Sequence, residues 1–152
     1  MALVQGLALL TRNMMSPSYN HSYLAYKIAK LLDQEEKFNF HIEMTLDING
    51  VDYIPDIAVY GKKPIDFLHD KIKSEERPLV VVEILSPKQS VNELMEKIEV
   101  YLIAGIKSCW LVIPPTKTVI VFKDINQPAS YTTGVLNDPV LGIEIKVNDI
   151  FK

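Results

Sequence analysis

An α/β domain of the α+β kind, with a mixed β-sheet flanked by helices, is the fold class this sequence predicts, and three observations predict it. Pro78 opens the near-continuous apolar run LVVVEIL, the pattern of a central strand buried on both faces. Residues 38–48 alternate apolar with polar and lead into Asn49-Gly50, the strongest short signal for a β-hairpin. Two segments, 18–33 and 91–104, carry apolar residues at helical spacing. Helix, antiparallel strands, central strand, helix and strand in that order give a mixed sheet with helices packed on it.

Taken in order, MALVQGLALLTR is read as a short strand or helix against the core. Its apolar stretch is short and its first Arg follows that stretch, the reverse of a secretory signal. A helix is predicted from Ser18 to Asp33, with Leu24, Ile28, Leu31 and Leu32 on one stripe and Ser16-Pro17 as its start signal. Phe38, Phe40, Ile42, Met44, Leu46 and Ile48 share one side of the next strand, with Glu43, Thr45 and Asp47 on the other. After the Asn49-Gly50 turn a strand runs from Val51 to Tyr60. Residues 61–77 hold GKKP and many charges and read as a loop, with at most one helical turn.

Ser86-Pro87 ends the central strand. The helix from about Val91 to Ala104 has Leu94, Ile98, Tyr101 and Leu102 on its apolar stripe, and Gly105 stands where a C-terminal cap belongs. Ser108–Ile113 and Thr118–Lys123, joined by Pro114-Pro115-Thr116-Lys117, form a hairpin or bent ribbon. Short strands follow near Ala129–Tyr131 and Ile143–Val147.

A length of 152 residues suits one domain spanning 1–152, large enough to bury a core without staples. The composition, 48% hydrophobic and 23% charged, is that of a soluble globular protein. No run approaches the ~18 apolar residues of a membrane span, so no membrane partner is expected. The lone Cys109 excludes an internal disulfide and a cysteine zinc site and fits a reducing cytoplasm. The net charge of −3 counts against tight non-specific DNA binding, although 16 Lys and Arg leave room for a local basic groove.

Two carboxylates stand out by position. Glu83 lies inside an apolar strand, where an ionised side chain is costly unless it is paired or holds a metal. Asp56 follows Pro55 in a second apolar strand, and a proline without an N–H places that strand locally at an edge or bulge. Carboxylates on adjacent strands can seat a hard divalent cation, which takes oxygen ligands, water and phosphate. Such an ion can activate a nucleophile and stabilise charge on a phosphodiester. Lys97 lies at the edge of its helix stripe, beside Leu94 and Tyr101, and can bury its stem while its ammonium group reaches over the sheet.

Pro55-Asp56, then Val82-Glu83-Ile84-Leu85-Ser86-Pro87, Lys97 with Tyr101, Ala104-Gly105-Ile106 and Trp110-Leu111-Val112 together resemble the Uma-two family of restriction-type endonucleases, within the PD-(D/E)XK nuclease superfamily. The resemblance runs from about residue 16 to the C-terminus. It implies a restriction-endonuclease-like fold, a Mg²⁺ or Mn²⁺ site at Asp56 and Glu83, and hydrolysis of DNA phosphodiester bonds. Enzymes of that type that cut duplex DNA generally work as dimers, which suggests a homodimer. The superfamily places a lysine two residues after the second acid; here that position is Leu85, and the resemblance transfers the role to Lys97. Many relatives carry Asp four residues before that lysine and Asp before the proline after the Trp strand; here these are Glu93 and Ile113. The superfamily often adds an upstream Glu. Glu43 is the better-placed candidate and His21 on the first helix the weaker one.

Plainer readings stand beside these. Glu83 and Lys97 can be a buried ion pair that fixes helix to sheet. Lys97 can pair with Glu93 four residues earlier. His41 and His69 have no partners at metal-ligand spacing, and Trp110, Tyr101 and Cys109 read as core residues. The rival function is a catalytically idle nuclease fold that binds DNA or a protein as an accessory factor. The acidic net charge, Leu85 and the absence of a second DNA-reading domain favour it.

Overall fold

The computed structural model describes residues 16–152, so the reading of the first twelve residues lies outside the described part. Helix α1 spans Tyr19–Leu32; Ser18 caps it, its side chain accepting from the His21 N–H, and Asp33 ends it. The start is thus set by an N-cap serine rather than by the Ser16-Pro17 pair. Leu24, Ala25, Ile28 and Leu32 form its buried stripe.

The alternating stretch is two strands. β1 (Phe38–Ile42) stops before Glu43, whose φ of 53° is left-handed, and β2 (Leu46–Ile48) follows. The turn rotates the chain, so the apolar side changes partner: Phe38 and Phe40 pack with α1, whereas Leu46 and Ile48 join the core under the second helix. Asn49-Gly50 makes the expected hairpin to β3 (Val51–Tyr53), with φ of 54° and 85° at the two turn residues. The predicted strand to Tyr60 is likewise broken, around Pro55, and resumes as β4 (Ile57–Gly61). Residues 62–79 form no helix; Ser74 makes a single parallel bridge to Leu46.

The main sheet has the order β1-β4-β5-β6-β7-β8. The other strands are β5 (Val80–Ile84), β6 (Ser108–Ile113), β7 (Thr118–Phe122) and β8 (Pro128–Tyr131). Only the β5–β6 pair is parallel, crossed over by α2 (Val91–Ile103); its other neighbours run antiparallel. Gly105, at φ 98°, closes α2, with its own amide on the Leu102 carbonyl and that of Ile106 on Tyr101.

The sheet divides the core by residue parity. Val80, Val82 and Ile84 face α1, as do Ile57 and Val59. Val81, Ala58 and Tyr60 face α2, packing on Leu94, Ile98 and Tyr101. Glu83 shares the parity of Val81 and so meets α2. The tail adds a strand absent from the sequence reading, β9 (Val135–Asp138), paired with β10 (Ile143–Lys146), and a final turn of helix, α3 (Val147–Ile150).

Asp138, at the end of β9, is fully buried. Its Oδ2 accepts from Ser108 Oγ and Trp110 Nε1, both at 2.7 Å, and its Oδ1 from the amides of Val140 at 2.9 Å and Leu141 at 3.4 Å. It locks the β9–β10 unit to the back of β6. Asp138→Ala strands these donors in the core, and urea denaturation should register a loss on the order of 3 kcal/mol or more.

Candidate metal and phosphodiester site

The site forms where the β4–β5 ladder ends. Ile57 pairs with Val82, and one further step places Asp56 opposite Glu83. Pro55 has no N–H to donate back to β5, and the ladder ends there with the Asp56 side chain, whose Oδ2 accepts from the Ile84 N–H at 2.6 Å. β4 is therefore an interior strand between β1 and β5, not an edge, and the opening is at its end. The same Oδ2 lies 3.0 Å from His21 Nε2. Among the described residues the polar side-chain contacts of Asp56 all fall on Oδ2, which leaves Oδ1 available to a ligand.

Glu83 is buried at 1% exposure, yet its partners are distant. Tyr101 O–H reaches Oε1 at 3.5 Å, and Lys97 Nζ stands 3.7 Å from Oε2. Both come from α2, one turn apart on the face that meets the sheet. Burial first, and the Asp56 charge second, push the Glu83 carboxyl up to about 8; Lys97, the backbone of Asp56 and Tyr101 act in the other direction without cancelling this. Burial and the neighbouring carboxylates also raise the Tyr101 phenol, which stays a neutral donor. Lys97 keeps its 36%-exposed side chain on Glu83 rather than on Glu93.

His21 is buried on α1. Burial is the largest single influence on it and favours the neutral ring, but the hydrogen bond and charge of Asp56, with the charge of Glu43, outweigh it and raise its pKa. Its Nδ1 is buried without a partner among the described residues. Glu43 sits on the rim. Its backbone N–H donates to the Asp56 carbonyl at 3.1 Å, while its carboxylate is exposed and acts on His21 through charge.

The structure thus brings together Asp56, Glu83 and Lys97, ties Glu43 in through its backbone, and gives His21 a closer place than its sequence rank. Tyr101, read from sequence as a core aromatic, also turns its hydroxyl to Glu83; the signal was its position one turn after Lys97 on the same face. His41 instead stacks edge-on against Tyr60, and His69 pairs with Asp66 on the surface. Cys109 is a buried free thiol, raised by that burial.

Asp56 and Glu83 could hold a hard divalent cation. No cluster of three or more His, Cys, Asp or Glu stands ready for one among the described residues. Two carboxylates suffice for an ion that completes its shell with water and phosphate oxygens. The fit rests on an electrostatic deficit: a buried carboxylate beside a second one, with long side-chain contacts to a cation and a phenol and the Asp56 backbone, which together do not offset its burial.

The Uma2 family model, described as "Putative restriction endonuclease", matches residues 10–148. Among solved structures, the chain is similar to a "putative nuclease belonging to DUF820" from Anabaena variabilis, with a TM-score of 0.77 at 20% identity, over 89% of this chain and 82% of that one. At that identity the likeness shows the fold. No curated protein matches the chain.

Proposed function

The chain belongs to the Uma2 family, described as "Putative restriction endonuclease", and from that premise we propose that it is an endonuclease hydrolysing DNA phosphodiester bonds with Mg²⁺ or Mn²⁺ at Asp56 and Glu83. One observation carries the reading: the contrast between its two buried acids. Asp138, a structural carboxylate, receives four donors, two of them at 2.7 Å. Glu83, equally buried, has side-chain partners no closer than 3.5 Å, adds the Asp56 backbone to them, and faces a second carboxylate. A group kept for stability would be satisfied as Asp138 is. Glu83 is arranged for a charge that comes from outside the chain.

A divalent ion held by the two acids would polarise the scissile phosphate and make a bound water more acidic. The chain's own groups divide the remaining work. Ile84 N–H and His21 fix one oxygen of Asp56 and so aim the other. Lys97 reaches the Glu83 carboxylate from α2 and is positioned to orient the attacking water. Tyr101 holds Glu83 from the buried side. Glu43, on the rim, adds negative charge at the mouth. A homodimer would present two such sites to the two strands of a duplex.

Lys97→Met keeps the stem and removes the charge. It should slow cleavage by about 100-fold and drive the Glu83 carboxyl still higher, moving the alkaline rise of activity to higher pH. A pH–rate profile of the variant checks both. The proposal itself is tested by nicking of supercoiled plasmid in Mg²⁺ or Mn²⁺ with an EDTA control: metal-dependent nicking supports it, and intact plasmid under every metal condition refutes it.

The Glu83–Lys97 ion pair also favours a second reading, a nuclease fold retained as a binding or accessory protein, in which the pair merely holds α2 to the sheet.

A further inference from the structure

Two cavities open beside the acidic site. The larger, about 610 Å³, lies between the start of α1 (Ser18, Tyr19, Asn20), the chain leaving β5 (Leu85 to Gln89) and the Pro114-Pro115 turn. The second, about 380 Å³, shares Tyr19, Asn20 and Pro114 with it and continues to Tyr23 and Lys117. They form one groove. It starts immediately beyond the metal-binding positions, since Leu85 follows the Ile84 amide that holds Asp56, and Asn20 precedes His21.

The groove's chemistry is specific. Tyr19 is 91% exposed at the shared wall, and among the described residues no aromatic ring or cation packs on its ring. Hydroxyls and amides line the larger half at Ser18, Asn20, Ser86 and Gln89, and no Asp or Glu side chain lines either half. Lys88, between lining residues Pro87 and Gln89, and Lys117 are both exposed, and among the described residues neither makes an ion pair with a carboxylate. On a chain of net charge −3, a groove with no Asp or Glu among its lining residues and with Lys88 and Lys117 outside any ion pair among the described residues is a local inversion of sign. Exposed aromatic faces with flanking cations are how proteins hold single-stranded nucleic acid, by base stacking and phosphate contact. A duplex keeps its bases stacked on one another and would leave the Tyr19 ring unused.

We propose that this groove seats a single-stranded stretch of the DNA substrate next to the scissile phosphodiester, with one base stacked on Tyr19 and phosphates on Lys88 and Lys117. The substrate class rests on the nuclease reading above; the groove itself does not require catalysis. It makes the preferred substrate a strand that is open beside the cut, such as a flap, bubble or frayed end.

The test is binding in EDTA, where no metal-dependent cleavage occurs. Fluorescence anisotropy with a labelled 15-nucleotide dT oligomer and with a labelled 15-base-pair duplex compares wild type, Tyr19→Ala, Tyr19→Phe and the double variant Lys88→Gln/Lys117→Gln. All three sites are exposed, and thermal melts confirm that each variant folds. The oligomer should bind more tightly than the duplex. Tyr19→Ala should weaken oligomer binding by about 5- to 100-fold while Tyr19→Phe retains it. The double lysine variant should flatten the salt dependence by about 0.7 per lysine lost, in log K against log salt. Oligomer affinity unchanged in Tyr19→Ala, tighter binding of the duplex, or no binding of the oligomer overturns the inference. If plasmid nicking fails but these variants behave as stated, the catalytic reading falls and the groove stands. If nicking succeeds and Tyr19→Ala binds like wild type, the groove alone falls.

Discussion

Asp56→Ala should lower the rate of metal-dependent nicking on the order of a thousandfold, to the level of the EDTA control. The size follows from what is removed. A divalent ion at a phosphodiester contributes several kcal/mol to the transition state, and about 4 kcal/mol corresponds to that factor. Asp56 supplies the more accessible of the two carboxylates, with a side chain 15% exposed against 2% for Glu83. Alanine also leaves the Ile84 amide and His21 without their acceptor, so Asp56→Asn belongs in the same experiment. Its amide oxygen can still accept from Ile84, which holds the strand end in place while the charge is gone. Both variants should be inactive, and Asp56→Asn should melt close to wild type. Nicking that survives in a folded Asp56→Asn protein would remove Asp56 from the chemistry.

Glu83→Gln should lose cleavage by a similar factor and, unlike most changes in a core, make the metal-free protein more stable at pH 8. In the folded chain burial and the Asp56 charge hold the Glu83 carboxyl up to about 8, against 4.5 for the free group. The native state therefore binds this proton more tightly than the unfolded chain does. The stability it contributes is fully present below pH 4.5 and is lost as pH rises through about 8. Each unit of difference is worth about 1.4 kcal/mol, so the loss across the window is several kcal/mol. Glutamine keeps the shape and cannot ionise. Its curve of stability against pH should be flatter between 4.5 and 8, and at pH 8 it should exceed wild type by on the order of 1–4 kcal/mol. Urea denaturation in EDTA at several pH values measures this. A Glu83→Gln protein that is weaker than wild type at pH 8 would mean that Glu83 is a stabilising partner of Lys97.

Much of this was legible in the sequence, and the parts that were not share a cause. The β5 run and the α2 stripe could be read because their patterns report burial on one element at a time. The alternation from Phe38 to Ile48 and the run from Val51 to Tyr60 each suggested one strand, yet both are broken, at Glu43 and at Pro55. Alternation persists across a single left-handed residue, so period alone does not show that the chain has turned and changed face. Those two breaks lie at the site itself, where Glu43 N–H meets the Asp56 carbonyl. The site acids were visible as charges in apolar strands. His21 was harder to place, because its partner is 35 positions away and only the packing of α1 on the sheet brings them together. Asp138 was missed altogether: its donors on β6 are about 30 residues distant and nothing local marks it as buried.

Binding of Mn²⁺ to the purified chain, followed by isothermal titration calorimetry without DNA, tests most directly whether the Asp56–Glu83 pair is a seat for a cation. Wild type should bind Mn²⁺ at this site at pH 8.5 and more weakly at pH 6.5, because the ion must displace the Glu83 proton. Asp56→Asn and Glu83→Gln should each abolish that binding. Equal Mn²⁺ binding by wild type and both variants, or no binding by wild type at pH 8.5, would contradict the account and leave the Glu83–Lys97 pair as the strut that holds α2 to the sheet.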